Sequence, residues 1–194
     1  MEPLYPDLSR FRNDKYSHGR SFPVRLLWIF CEALVLKNPL FVWSEGKAIL
    51  LRLFGAKVGK GVVIKPNLSV KHPWFLTVGD HVWLGEKAWI DNLAPVTIES
   101  DCCLSQGAML LTGNHNYSMV TFDFLAQPIV MKRGSWVGAQ ALVCPGVTLG
   151  DCAILAAGSV ATKDLEPWGI YQGQPAVKVR ERTVSESGKR FAGT

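Results

Sequence analysis

A period of six residues governs the second half of the chain and excludes most folds at once. Residues 137–142, 143–148, 149–154 and 155–160 are consecutive hexapeptides, each with an aliphatic residue at the first place and a small one at the fifth. An α-helix turns every 3.6 residues, so a stripe of period six would wander around its axis and never form one face. Short strands joined by turns satisfy the pattern, because each aliphatic side chain then points inward onto its copy in the next coil. The register runs upstream through Val78, Leu84 and Ile90, with Val82, Ala88 and Ala94 four places after each. After a two-residue slip it resumes at Ile98, Leu104 and Leu110, and Met131 with Ser135 leads into the run from Val137. Val58, Ile64 and Val70 read as an opening coil. The predicted object is a parallel β-helix, whose coils are stabilised chiefly by their neighbours.

With 194 residues, 48% of them hydrophobic, the chain can bury one core and carry accessory segments around it. The net charge of +5 is uneven: residues 1–74 hold twelve basic and five acidic side chains, 75–131 one and six, and 132–194 eight and five. A nucleic-acid binder favours one continuous basic face, and this split argues against one. The basic N-terminal region can face anionic lipid or only solvent. Five cysteines without paired short spacings predict no disulfide framework. Cys102, Cys144 and Cys152 fall within coils, as small apolar fillers or, on a sharper reading, as nucleophile or metal ligand.

Residues 1–20 are polar and include Pro3 and Pro6, unlike a signal peptide, which predicts a cytoplasmic protein. The apolar run from Phe22 to Leu36 is interrupted by Arg25 and Glu32 and is shorter than a bilayer span. With Ser44 to Phe54 it predicts two amphipathic helices. Both are expected to cap the open first coil and shield its edge, with a membrane-surface role helped by Trp28 and Trp43 as the alternative.

Position separates the four histidines. His18, in the polar N-terminal segment, and His72, before Pro73, are expected to be solvated, and His81 takes an outward turn place in its hexapeptide. His115 falls where the register breaks. The break, residues 113–128, is too long for a turn, and long excursions from rigid repeats frequently carry function. An imidazole at the root of such a loop has a reference pKa suited to proton abstraction near neutral pH.

Four segments carry a resemblance to a known family: Gly113-Asn114-His115-Asn116-Tyr117, Ser135-Trp136-Val137-Gly138, Pro145-Gly146-Val147-Thr148-Leu149-Gly150, and Ala157-Gly158-Ser159-Val160-Ala161-Thr162-Lys163-Asp164. They resemble the hexapeptide-repeat acyltransferases, and among them the colanic acid biosynthesis acetyltransferase type, over residues 58–182. The resemblance implies an all-β, left-handed parallel β-helix over 58–176, an N-terminal extension with capping helices over 1–57, an inserted loop around 113–128, and a short C-terminal helix and tail over 177–194. It also implies a homotrimer with sites between subunits, acetyl-CoA as co-substrate, a carbohydrate acceptor and no metal. The location implied is the cytoplasm, at its widest the inner face of the membrane.

The chemistry implied is acetyl transfer to a sugar hydroxyl. A hydroxyl is a poor nucleophile at neutral pH, and His115 is the matching base that takes its proton. The family orients this imidazole through its second nitrogen, usually with a backbone carbonyl; its frequent aspartate after the histidine is Asn116 here. The oxyanion donor maps onto the backbone N–H of Ala139. Trp136 and Gly138, with Ala157, Thr162 and Lys163, match positions along the coenzyme tunnel, although Trp136 can equally pack at a coil edge. In the C-terminal segment the family's basic residue after Pro-Ala is Val177, leaving Lys178 and Arg180 as phosphate contacts or as ordinary solvated charges. Asp91, Asn92 and Asn114 are the acceptor-binding candidates, and a turn asparagine looks identical in sequence.

Two other functions share the repeat. A zinc-dependent carbonic anhydrase needs three histidine ligands, and only His81 and His115 fall within the coils. A non-enzymatic scaffold for polysaccharide assembly needs no base at all. A non-sugar acceptor is a further alternative.

Overall fold

The computed structural model describes residues 4–13 and 16–186. Its coils are built from three parallel sheets that the chain visits in turn. Sheet A holds β1 (Lys57–Val58), β4 (Leu76–Val78), β7 (Val96–Ile98), β12 (Ile129–Met131) and β15 (Thr148–Leu149). Sheet B holds β2 (Val63–Ile64), β5 (Trp83–Leu84), β8 (Cys103–Leu104), β13 (Trp136–Val137), β16 (Ile154–Leu155), β18 (Gly169–Gly173) and, antiparallel at its end, β19 (Ala176–Glu181). Sheet C holds β3 (Ser69–Val70), β6 (Trp89–Asp91), β9 (Met109–Leu111), β14 (Leu142–Val143) and β17 (Val160–Ala161). Together they make a β-solenoid of about six turns.

The hexapeptide places explain the packing. In register, Ile64, Leu84, Leu104, Val137, Leu155 and Tyr171 stack up the inside of sheet B. Val70, Ile90, Leu110, Val143 and Ala161 do the same in sheet C, and every one of these side chains is buried. The small fifth places Ala88, Ala108 and Ala141 are buried beside them, where a larger residue would clash with the next coil. The A–B and B–C corners each place one residue in the left-handed region. At the B–C corner these are Asn67, Lys87, Gly107, Gln140 and Gly158, with φ between 56° and 66°. A positive φ at the third position of a tight turn gives type II geometry, which favours proline at the position before it. Pro66 sits there in the first coil.

The C–A corner is irregular. Sheet A repeats every 20 residues from Val58 to Val78 and to Ile98, but only 18 separate Met131 from Leu149. The two-residue slip in the sequence is this longer corner. From the same corner of the third coil the chain leaves as a hairpin, β10 (Gly113–His115) against β11 (Phe124–Ala126), and rejoins at β12.

Two N-terminal helices close the first coil. The first, α1 (Phe22–Cys31), starts with proline in its first turn and runs on as a π-helical segment, Glu32–Leu36; the second, α2, spans Ser44–Leu53. They satisfy the open edges of all three sheets with side chains. Arg52 donates to the carbonyls of Val58 and Gly59, Lys47 donates to that of Ile64, and Ser44 Oγ accepts from the Ile64 N–H. On β3, Trp28 Nε1 donates to the Val70 carbonyl at 2.8 Å, and Glu32 Oε1 accepts from the Val70 N–H at 2.8 Å. Bare strand edges would otherwise template association, so this cap is what ends the solenoid.

Two expectations are corrected here. Among the described residues there is no C-terminal helix: Ala176–Glu181 are β19, hairpin-paired with β18. Val177-Lys178-Val179-Arg180 alternates with period two, and the free edge of sheet B gives it a partner. Residues 187–194 of the expected tail lie outside the described residues. His72 is buried, not solvated, because the N-terminal segment crosses over it: its ring stacks on Trp74 at 5.0 Å and meets His18 edge-on, with Tyr16 Oη 3.4 Å from its Nδ1. His18 itself is half-buried.

Candidate active site

His115 ends β10 at the root of the hairpin and is wrapped in aromatic rings. Phe122 stacks on the imidazole with centroids 4.4 Å apart and planes 9° from parallel, while Phe124 and Phe11 flank it at 5.6 and 5.7 Å. Its Nδ1 lies 2.9 Å from the backbone carbonyl of Phe122. A carbonyl can only accept, so Nδ1 carries the hydrogen and Nε2 keeps its lone pair for another proton. Phe122 has φ 51°, a conformation that costs a bulky L-residue about 1–3 kcal/mol. That strained turn aims the carbonyl at the ring. The preceding Asn114 is exposed, and its Oδ1 accepts from the His115 N–H at 2.8 Å.

The N-terminal segment completes the surroundings. Asp7 N–H donates to the Val120 carbonyl, and Tyr16 packs edge-on against Phe124 at 4.9 Å while its hydroxyl donates to the Leu93 carbonyl. Burial, foremost, and then the Asp91 charge hold the Tyr16 phenol up at about 12, so it remains a donor. An open groove of about 500 Å³ runs beside the hairpin, lined by Arg12, Asn13, Tyr16, Asp123, Phe124 and Leu125 among others.

Ala139 sits at the B–C corner of the fourth coil, in one column with Pro66, Glu86, Gln106 and Ala157. Among the described residues nothing accepts a hydrogen bond from its N–H, whereas the Gly138 and Gln140 amides on either side bond to Leu155 and Gln106. Pro66 dispenses with an N–H altogether in the same column, so the corner has a geometric reason to leave this donor facing outward. Gly138 lets the next coil approach: a Cβ there would lie 2.5 Å from the Ala157 backbone nitrogen. Trp136 stands on the outer face of sheet B, half exposed, with Nε1 donating to Ser105 Oγ one coil below at 2.8 Å.

The sequence-predicted residues therefore fall on two edges of the prism. Trp136, Gly138, Ala139 and Ala157 share the B–C edge. His115 and Asn114 leave from the C–A edge, where Thr162 and Lys163 lie exposed after β17. Sheet C separates the two edges within one chain. Lys178, on β19, has its ammonium held by Glu166 and Glu181, each at 2.7 Å, and these bonds, Glu166 first, push its pKa upward. It is engaged by carboxylates and not poised for a phosphate. Arg180 faces Ile170 in the same hairpin.

Asn92 departs from its expected role as well. It is 0% exposed, and its amide accepts from the His72 N–H and donates to the His72 carbonyl, so it stitches two coils together instead of meeting an acceptor. Asp91 is paired across from Leu111, one coil below the hairpin, with Lys71 Nζ 3.0 Å from its Oδ1 as an ion contact poorly aligned for a hydrogen bond. It lines a different groove, of about 550 Å³, with His18, Arg25 and Trp89.

All five cysteines are free thiols, and burial raises the pKa of Cys102, Cys103 and Cys144, which suits fillers better than nucleophiles. Among the described residues no group of three or more His, Cys, Asp or Glu is arranged to hold a metal. Sequence reasoning missed Phe11, Phe122 and Tyr16. A backbone carbonyl leaves no side-chain signature, and contacts made across 100 residues leave no local pattern.

A family model described as "Hexapeptide repeat of succinyl-transferase" matches residues 133–163. The putative colanic acid biosynthesis acetyltransferase WcaF of Escherichia coli K12 is 38% identical over 186 residues, covering 93% of this chain and 99% of the relative. Galactoside O-acetyltransferase of the same organism is 27% identical over 150 residues, 76% of this chain and 73% of that protein. Among solved structures, the hexapeptide-repeat acetyltransferase VCA0836 of Vibrio cholerae, complexed with acetyl coenzyme A, superposes with a TM-score of 0.74 at 21% identity, covering 82% of this chain and 87% of that one. The shared fold is the left-handed parallel β-helix.

Proposed function

We propose, on the premise that the chain belongs to the hexapeptide-repeat acetyltransferase family, that it moves an acetyl group from acetyl-CoA to a carbohydrate hydroxyl in the assembly of an exopolysaccharide or another surface polysaccharide. The observation that carries this is the 2.9 Å contact between His115 Nδ1 and the Phe122 carbonyl, which leaves Nε2 as a base of fixed orientation. Nε2 takes the proton of the acceptor hydroxyl as its oxygen forms a bond to the thioester carbon. The oxyanion of the tetrahedral intermediate accepts from the Ala139 N–H. Collapse breaks the carbon–sulfur bond, the thiolate of CoA leaves with the electron pair, and the imidazolium returns its proton to that sulfur.

The two edges meet only if two chains do. Sheets B and C carry largely apolar outward columns, Val63, Trp83, Cys103, Trp136 and Ile154 on one and, after Ser69, Trp89, Met109, Leu142 and Val160 on the other. Sheet A presents Lys57, Thr77, Thr97, Val130 and Thr148. The apolar pair supports a homotrimer in which the B–C edge of one subunit faces the C–A edge of the next. In that arrangement Trp136, Gly138 and Ala157 flank the pantetheine arm with Thr162 and Lys163 nearby, Arg180 on β19 is a phosphate candidate, and Asn114 at the hairpin meets the acceptor. Coils 58–176 form the catalytic unit, working in the cytoplasm or at the inner membrane face.

Purified protein incubated with acetyl-CoA and a panel of sugars, sugar nucleotides and lipid-linked sugars tests this reading. Release of free CoA thiol with a carbohydrate acceptor is expected. No release with any acceptor, together with no CoA binding, would favour a scaffold, and release with non-carbohydrate hydroxyls alone would move the acceptor class.

A further inference from the structure

The α1 segment is apolar on the side where a surface helix is ordinarily polar. Its inward stripe is Arg25, Trp28 and Glu32, followed by Leu36, and Trp28 and Glu32 bond to the edge of β3. On the opposite side Leu26, Leu27, Phe30 and Leu34 point outward, with Leu27 55% and Phe30 61% exposed. Phe22, Ile29, Leu40, Val42 and Trp43 extend the exposed apolar surface. A helix that is apolar on its solvent side calls for a covering, and a patch of this size marks an interaction surface.

Charge selects the occupant. Between Tyr16 and Ser44 the sole acidic residue is Glu32, which is buried and bonded to Ser69, Val70 and Lys37. The cations of that stretch, Arg20, Arg25 and Lys37, stand toward the two ends of the helical segment, Arg25 on its inward side and Lys37 paired with Glu32. No helix among the described residues is long and apolar enough to cross a membrane. An apolar face bordered by cations and by an exposed tryptophan matches a helix lying in the plane of an anionic interface, where aromatic and basic side chains sit at headgroup depth.

We infer that the outer face of α1 docks the protein, without spanning, onto an anionic phospholipid surface. The test is co-sedimentation of the full-length protein with vesicles of phosphatidylglycerol and phosphatidylethanolamine, against vesicles of phosphatidylcholine alone. Anionic vesicles should retain at least about tenfold more protein. The double substitution Leu27→Glu and Phe30→Glu should lower that retention by at least about tenfold, with the oligomeric mass, thermal unfolding and CoA binding unchanged. Equal retention by both vesicle types, or by both proteins, would overturn the proposal. So would a wild-type protein that ignores vesicles while the double variant changes oligomeric mass, since the face would then be a contact between copies of this chain.

Discussion

The corner that carries Ala139 offers a clean test at the scale of one residue. Proline occupies the same turn position in the first coil, and type II turns accept it there, so Ala139→Pro removes one N–H with little distortion. Turnover is expected to fall by roughly 10²–10³ while the folding midpoint stays in place, as for loss of a single oxyanion donor; an undiminished kcat would place that donor elsewhere. His72 supplies a pH dependence. Burial, and then the charges of His18, Lys71 and Arg25, depress its pKa to about 4, so the folded protein holds it neutral while the unfolded chain protonates near the ordinary value of about 6.5. Its contribution is complete above about pH 6.5 and is lost as pH falls toward 4, by at most about 3 kcal/mol. Urea midpoints between pH 7 and 4.5 should therefore drop more steeply in the wild type than in His72→Gln, and equal slopes would mean that the ring titrates freely. The place of His115 at the hairpin root was legible because it interrupts a repeat. His72 and Asn92 were not, because the segment that buries one and the backbone that binds the other are brought in by tertiary contact.

At the scale of elements, the coil strands were readable because each inward aliphatic residue repeats at a fixed spacing, and both N-terminal helices fall where Phe22 to Leu36 and Ser44 to Phe54 place them. The C-terminal strand was missed although its Val-Lys-Val-Arg alternation was in view, since a lone two-residue period at a chain end competes with helix propensity until an edge such as β18 is known. Capping is the element-level claim most open to measurement. Glu32→Leu leaves the Val70 N–H and the Ser69 hydroxyl without their acceptor, and a buried unpaired donor costs about 1–3 kcal/mol. Stability should fall by that amount, and the Val70 amide should lose hydrogen-exchange protection before the amides of the fourth and fifth coils. Loss of protection spread evenly over all coils would show that the helices do not cap the first one.

For the whole molecule, the repeat makes a rigid prism that holds His115 and the Ala139 N–H on separate edges, so the proposed mechanism makes catalysis a property of neighbouring subunits. Co-expressed His115→Ala and Ala139→Pro chains, each inactive alone, should recover about a quarter of wild-type activity, because half of the subunits retain each group; no recovery would confine the site to one chain. The acidic middle and basic ends were plain in the sequence, but their placement along a prism was not, since charge counts carry no geometry. The proposed reaction rests on one imidazole. The most direct measurement is steady-state release of CoA thiol by wild type and His115→Ala with a saturating carbohydrate acceptor. A loss of roughly 10²–10⁴ in kcat with little change in acetyl-CoA affinity is expected, and an unchanged kcat would contradict the mechanism.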